Sequence, residues 1–279
     1  MKFEPHRFDE SLSPNIPHEH PAWEVLRLGA WLLGLLLVAW LLVTGIVHAL
    51  PHLVSLERER AWFGSAVAEA FSNESRQDAR LQALADGLAK DMGLPAGIVK
   101  VAISADDTPN AFATFGGQVV LMQGLLDKLP SEEAVAGALA HEIAHIKHRD
   151  PLRGVSRSLL LGLIWGTLVG HHGSIEAITS LETLRHSRAQ EEAADTAAID
   201  VLALRYQSVG GMQQLMQTLG KVEGGGDADS AAQKPRRAVL GWLSSHPRTA
   251  DRLKAIQQRA REKGYSLQPP SRPNPWRQS

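Results

Sequence analysis

The chain has 279 residues, a formal net charge of −1 and no cysteine. The lack of cysteine excludes disulfides, thiolate metal ligands and cysteine nucleophiles, so any metal must be held by imidazole and carboxylate groups. The balanced charge argues against a nucleic-acid partner, because phosphates call for a basic protein surface. The length is enough for one sizeable domain with extensions.

The N-terminal part of the sequence divides by composition into three segments. Residues 1–27 mix prolines with charges and histidines, and they are predicted to be a flexible tail. Residues 28–50 contain no Asp, Glu, Lys or Arg and are long enough to cross the hydrocarbon core of a bilayer. They predict one transmembrane helix in contact with membrane lipid, followed by a connecting helix over residues 51–72. A buried helix of a soluble fold is disfavoured, because helices apolar all round for this length are uncommon outside membranes.

A helix and a small sheet are predicted next. In residues 73–92 apolar side chains recur at helical spacing, and Gly93-Leu94-Pro95 ends the run. Residues 98–104 alternate between apolar and polar and predict a strand. Ala111–Thr114 is joined through Phe115-Gly116-Gly117 to a second extended stretch, which predicts a β-hairpin.

The stretch His141-Glu142-Ile143-Ala144-His145 carries the strongest chemical signal. Ser131 can cap a helix that contains this motif, and Pro151 is expected to end it. Residues four apart share one face of a helix, so both imidazoles can reach one ion. Glu142 is placed to deprotonate a metal-bound water, as in zinc-dependent peptidases. Histidines that only pack in a core are the disfavoured alternative, whereas for His148 a surface or supporting role is favoured over metal binding.

A third metal ligand has to come from elsewhere, because a catalytic zinc usually has three protein ligands and an open fourth position. The sequence after His145 lacks the glycine and third histidine of the extended metzincin motif. The best-placed source is the acidic cluster at residues 191–195, in a stretch predicted to be helical over residues 175–206. Glu191 and Asp195 share a helix face, so one can bind metal while the other accepts the ring N–H of a ligand histidine.

Three further segments are read from composition. Residues 158–170 are very apolar but short for a crossing, so a buried or membrane-leaning hairpin helix is favoured over a second span. Residues at about 221–236 are predicted to form a flexible loop. Residues 265–279 are predicted to be a disordered C-terminal tail.

Taken together, the motifs resemble the M48 family of zinc metallopeptidases over about residues 70–260. The matching residues occur in the family's order. They are Asn110-Ala111-Phe112-Ala113 with Gly116-Gly117 and Gly124-Leu125-Leu126, then the HExxH motif, then Ser187-Arg188 with Glu191 and Ala194-Asp195, and last His246-Pro247 with Arg252. The resemblance implies an α+β, mostly helical, gluzincin-like zincin domain with a small β-sheet over residues 73–264, preceded by the one transmembrane helix.

The resemblance also implies a site. One catalytic Zn²⁺ is expected on His141, His145 and Glu191, with Glu142 as general base, and the family spacing favours Glu191 over Glu192 as the third ligand. Asp195 is expected to support a ligand histidine.

Two other parts of the sequence are candidates for contact with substrate. His246 and Arg252 keep three open interpretations, namely a hydrogen bond to the developing oxyanion, occupation of the cleft as a gate, and packing at a helix start. The hairpin residues Asn110, Ala111, Phe112 and Ala113 are expected to bind an extended peptide, which would add as a strand to the sheet edge.

These observations predict a zinc-dependent endopeptidase that cleaves unfolded or membrane-associated proteins. By resemblance, it is expected at a bacterial inner membrane in protein quality control. The charges that flank the span barely select an orientation, and a periplasmic catalytic domain is expected because a lone anchor ahead of a cysteine-free hydrophilic domain commonly serves export. A non-proteolytic, chaperone-like scaffold with structural zinc is the alternative. A CAAX-type processing enzyme is less favoured, because one span cannot build a closed membrane chamber. The sequence leaves the oligomeric state open.

Overall fold

The chain separates into two compact units, Met1–Ile46 and Val47–Ser279. The computed structural model describes residues 21–72, 75–154, 186–223, 246, 249–269 and 272–278. Several predictions therefore lie outside the described residues, wholly or in part. They include the tail over residues 1–20, the apolar segment 158–170, the start of the helical stretch at residues 175–185 and the loop over residues 224–236.

A long apolar helix, α1, runs from Pro21 to Leu53 and confirms the helix predicted over residues 28–50. By length and composition it is a candidate membrane span. A stretch of 18 residues within it has a mean hydropathy of 2.4, and 0% of that stretch is buried. The prediction of a flexible tail is wrong for residues 21–27, which are already helical. The reason is local, since proline is tolerated in the first turn of a helix and Glu24 lies near the positive end of its dipole.

The second unit combines helices with a four-stranded sheet. Its named helices, in chain order, are α2 (Leu56–Ser72), α3 (Ala79–Asp91), α4 (Gln123–Lys128), α5 (Glu132–Lys147), α6 (Arg188–Tyr206), α7 (Gly210–Glu223) and α8 (Thr249–Lys263). Its strands are β1 (Ser75–Arg76), β2 (Lys100–Ser104), β3 (Ala111–Thr114) and β4 (Gln118–Met122). The predicted fold class, mostly helical with a small sheet, is confirmed.

The sheet has the strand order β1-β2-β4-β3, and its central pair, β2 and β4, is parallel. The predicted hairpin is confirmed, since β3 and β4 pair antiparallel with Phe112 opposite Val120. The turn needs glycine because Gly116 and Gly117 both have φ of 76°, and a Cβ at Gly117 would lie 2.2 Å from the carbonyl oxygen of Ile98. Among the described strands β3 pairs only with β4, so β3 is an edge strand.

Helix α3 is shorter than the helix predicted over residues 73–92. It begins at Ala79 because the side chain of Asp78 caps it, accepting a hydrogen bond from Leu81 N at 2.9 Å. Residues 75–76 instead form β1, which pairs with β2. The loop predicted from residue 221 also starts later, since α7 continues to Glu223.

The C-terminal segment corrects a prediction of disorder, because residues 272–278 pack against the domain. Trp276 is only 4% exposed, and its Nε1 donates to Asp78 at 3.1 Å. The Nδ2 of Asn274 donates to the carbonyls of Leu126 and Leu129, each at 2.7 Å. These carbonyls end α4, where helices leave backbone acceptors unsatisfied, so a polar tail with one large aromatic residue finds partners there.

Candidate metal centre

Helix α5 lies at the centre of the core, and every residue from Glu132 to Ile146 is buried. Ser131 caps it as predicted, accepting a hydrogen bond from Ala134 N at 3.1 Å. The helix ends at Lys147, before the expected stop at Pro151, because Arg149 turns left-handed with φ of 64°. Pro151 instead lies in the first turn of a helical segment that begins at residue 150, where proline is tolerated.

The two histidines of the motif meet on one face of α5. His141 and His145 are fully buried, and their Nε2 atoms are 3.1 Å apart. Their rings stand edge to face, at an interplanar angle of 88°. Both imidazoles therefore present a nitrogen to the same point. His148, in contrast, is the C-cap residue of α5 and is not a member of this cluster.

Glu191 is brought to the same point by the first turn of α6. Within the helical stretch predicted over residues 175–206, α6 begins at Arg188, because Ser187 and Gln190 form a reciprocal capping box. Glu191 is 3% exposed, with Oε2 at 3.5 Å from Nε2 of His141 and Oε1 at 3.5 Å from Nε2 of His145. Glu192, its competitor in the sequence, is exposed.

This donor set fits a zinc ion. Tetrahedral zinc, with bonds of about 2.0 to 2.1 Å, separates its ligand atoms by roughly 3.3 Å. The three separations between the two imidazole nitrogens and the Glu191 oxygens are 3.1, 3.5 and 3.5 Å. Two imidazoles and a carboxylate are also a common ligand set of catalytic zinc.

His246 completes a buried group of four potential ligands with His141, His145 and Glu191. Its Nδ1 is 2.8 Å from Oε1 of Glu191 and 3.3 Å from Nε2 of His141. Its Nε2 points the other way and lies 3.4 Å from Oε1 of Glu142. The imidazole therefore stands between the ligand cluster and the Glu142 carboxylate.

Glu142 is fully buried, and neither of its oxygens accepts a hydrogen bond from any residue that the structure describes. Burial by itself would raise its pKa, but the charges of His246, His141 and His145 outweigh burial and lower the pKa to about 2. The carboxylate is therefore ionised in the metal-free protein, with His246 beside it at 3.4 Å.

Asp195 lies one helical turn beyond Glu191 and contacts the other nitrogen of His141, with Oδ1 3.0 Å from Nδ1. Arg252 on α8 donates to both oxygens of Asp195, at 2.7 and 2.8 Å, and its Nη1 forms an ion pair with Glu191 at 2.9 Å. Burial would raise the pKa of Asp195, and Arg252 lowers it to about 2. Helices α6 and α8 thus meet at one buried arginine.

The sequence analysis missed the partner of His145. Asp150 is 2% exposed, and its Oδ2 lies 2.9 Å from Nδ1 of His145, while its Oδ1 accepts a hydrogen bond from Gln190 at 2.8 Å. His186 was missed too, and its ring stacks on His145 at 3.8 Å. The available signal was an acidic residue five positions after the second histidine of the motif. Only the turn at Arg149 directs that residue back to the helix.

The four residues predicted to bind substrate lie at the sheet edge. Ala111, Phe112 and Ala113 belong to β3, which packs against α5, and Asn110 precedes it, its side chain accepting a hydrogen bond from Ala111 N at 2.9 Å. All three strand side chains are buried, so the backbone of β3 is the part that can pair with an added strand.

A helix that carries HExxH is typical of the zincin class of metallopeptidase folds, and a glutamate brought to it by a second helix makes this site gluzincin-like. The chain belongs to peptidase family M48, whose family model matches residues 75–260, more than half of the 279 residues.

Curated relatives match over shorter stretches. Protease HtpX of Legionella pneumophila subsp. pneumophila (strain Philadelphia 1) is 38% identical over 101 residues, which are 32% of this chain and 35% of the relative. The Protease HtpX homolog of Desulfatibacillum aliphaticivorans is 31% identical over 145 residues, 46% of each protein. The chain therefore spans between about a third and about half of the length of these relatives.

Proposed function

We propose that this protein is a zinc-dependent endopeptidase anchored in a membrane. The observation that carries the proposal is the convergence of His141, His145 and Glu191 around one buried point, beside the carboxylate of Glu142. Membership of peptidase family M48 and the similarity to relatives named Protease HtpX support it.

Each residue of the cluster has a distinct role in this proposal. Zinc, held by His141, His145 and Glu191, would polarise the scissile carbonyl and acidify water. Glu142 accepts a proton from the attacking water and delivers it to the leaving amide nitrogen. Asp195 accepts the Nδ1–H of His141, which fixes the tautomer whose Nε2 lone pair faces the cluster.

His246 is proposed to gate the site. Its ring lies 2.8 Å from Glu191 and 3.4 Å from Glu142, so it occupies the space between ligand and base that a substrate carbonyl needs. The gate opens when this imidazole withdraws. A direct hydrogen bond to the oxyanion is the competing role, which would require His246 to remain close during turnover.

Substrates are proposed to be unfolded or membrane-associated proteins. The position of β3 at the edge of the described sheet supports this, because strand addition uses main-chain hydrogen bonds and selects weakly among side chains. The apolar helix α1 supports lipid contact through residues 28–50. A bacterial inner-membrane location, a periplasmic catalytic domain and a role in quality control complete the proposal.

A second candidate function is a non-proteolytic scaffold with structural zinc. One observation favours it, namely that His246 adds a fourth protein donor to the cluster. Structural zinc sites are closed by four protein ligands, whereas catalytic sites keep one position open.

One experiment separates the two functions. Zinc content and cleavage of an unfolded protein are measured for the full-length wild type and for Glu142→Gln. A peptidase should keep its zinc and lose roughly 10²- to 10⁴-fold in kcat, the usual contribution of a general base. A scaffold should show no cleavage that depends on Glu142, and unchanged cleavage by Glu142→Gln would contradict the proposed function.

A further inference from the structure

Helix α2 carries a glutamate that is buried between two turns of the second unit. Glu59 is 4% exposed, and α2 follows α1 after only two residues, Val54 and Ser55. Its Oε1 accepts a hydrogen bond from Gly116 N at 2.6 Å, and its Oε2 lies 2.9 Å from Nη2 of Arg149. Carboxylates are buried this deeply when their charge is compensated. Glu59 therefore joins the β3–β4 turn to the turn that follows α5.

Arg149 has a backbone conformation that side-chain-bearing residues rarely adopt. Its φ is 64°, in the left-handed region that glycine favours after a helix. Two groups contact its guanidinium. Nη2 donates a hydrogen bond to the carbonyl of Val54, just before α2, at 2.6 Å, and it forms the ion pair with Glu59 on α2. These contacts hold an arginine in a turn where glycine would be unstrained.

This turn decides where the next residue points. Asp150 begins the following helical segment, and its Oδ2 thereby reaches Nδ1 of His145 at 2.9 Å. A carboxylate on the far nitrogen of a ligand histidine fixes its tautomer and its ring orientation. A different φ at Arg149 would swing the carboxylate of Asp150 away from His145.

We propose that Glu59 is a positioning residue of the metal centre, because its ion pair with Arg149 holds the left-handed turn that sets Asp150 against His145. This inference rests on the metal site of the proposed function. It makes the packing of α2, the helix that follows the candidate membrane span, a determinant of how His145 is presented to zinc.

The test uses the full-length protein and two probes, Zn²⁺ affinity by competition with a chelating dye and the visible absorption spectrum of the Co²⁺-loaded protein. Glu59→Gln keeps an acceptor for Gly116 N but removes the charge that faces Arg149. We expect it to weaken zinc binding about 3- to 10-fold and to alter the Co²⁺ spectrum, a smaller effect than the roughly 10- to 100-fold expected when the direct partner is changed in Asp150→Asn. Glu69→Gln, at an exposed position ten residues further along the same helix, is the matched control and should bind zinc like the wild type.

A pair of variants at Arg149 tests whether Glu59 acts through the left-handed turn at Arg149. Arg149→Ala removes the anchor and keeps the strained turn, whereas Arg149→Gly removes the anchor and relaxes the turn. Arg149→Gly should therefore bind zinc more tightly than Arg149→Ala. Adding Glu59→Gln to Arg149→Gly should weaken zinc binding little further. If Arg149→Ala lost zinc only because it is unfolded, replacing the alanine by glycine would not restore zinc binding.

Two results would overturn the inference. One is wild-type zinc affinity in Glu59→Gln while Asp150→Asn is weakened, and the other is equal loss in the two Arg149 variants. Both leave the proposed function standing. If His145→Ala also binds zinc like the wild type, the metal site itself fails, and the positioning role falls with it.

Discussion

The two histidines of the motif are supported by different parts of the molecule. His141 is backed by Asp195, which is held by a bidentate Arg252 from a helix more than a hundred residues away in the chain. His145 is backed by Asp150, only five residues away and positioned by the turn at Arg149. The chemistry is the same on both sides, a carboxylate on Nδ1. One half of the site therefore depends on long-range helix packing and the other half on a single backbone turn.

The largest effect should come from removing Arg252, the arginine that holds Asp195 against His141. In Arg252→Ala two buried carboxylates, Glu191 and Asp195, lose their cation. We expect the zinc-free protein to lose about 3 to 5 kcal/mol of unfolding free energy, the usual cost of orphaning a buried charge. Urea denaturation measures this loss.

Arg259→Ala is the matched control on the same helix. Arg259 pairs with Asp200 at 3.0 Å, but both side chains are well exposed, at 30% and 44%. Exposed pairs contribute only about 0 to 1 kcal/mol. Equal destabilisation by the two variants would show that the buried arginine does not support the His141 side.

The second-largest effect is expected from neutralising each of the two supporting carboxylates, Asp195 and Asp150. Asp195→Asn and Asp150→Asn should each weaken zinc binding by roughly 10- to 100-fold, because a neutral amide no longer selects the histidine tautomer. Asp195→Asn should destabilise the zinc-free protein more strongly, since it leaves the permanently charged Arg252 unpaired on that side. Asp150 instead faces His145, an imidazole that can lose its proton, and Arg153, which lies 3.7 Å away and is 46% exposed. Chelator competition and urea denaturation of both variants test this, and an equal loss of stability would contradict the asymmetry.

The smallest effect should come from His246, which contacts both sides of the site through Glu191 and Glu142. If His246 gates the cleft, the wild type is in its open, competent state only part of the time. His246→Ala removes the closed state, so it should raise the rate of peptide hydrolysis by about 2- to 10-fold. His148→Ala, which removes an imidazole at the C-cap of α5 outside the four-residue group, serves as the control. A fall in kcat of roughly 10²-fold or more would assign His246 to the oxyanion instead.

The C-terminal segment shows where composition misleads. Residues 265–279 are rich in proline and polar residues, which favours disorder, yet Asn274 and Trp276 satisfy acceptors that lie 145 and 198 residues earlier in the chain. A sequence cannot show that the last turn of α4 has unpaired carbonyls at the place where the tail passes.

The sequence alone was enough to predict the apolar helix, the hairpin with its turn glycines and the helix that presents His141, Glu142 and His145. These features follow from periods of two and 3.6 residues and from local capping, which neighbouring residues decide. It also indicated Glu191 and Asp195, through helical spacing and family resemblance. Three features follow from tertiary contacts, namely the partner of His145, the position of His246 between ligand and base, and the link from Glu59 to Arg149. Each depends on where distant segments meet and on one positive φ, and no local pattern of residue types encodes such meetings.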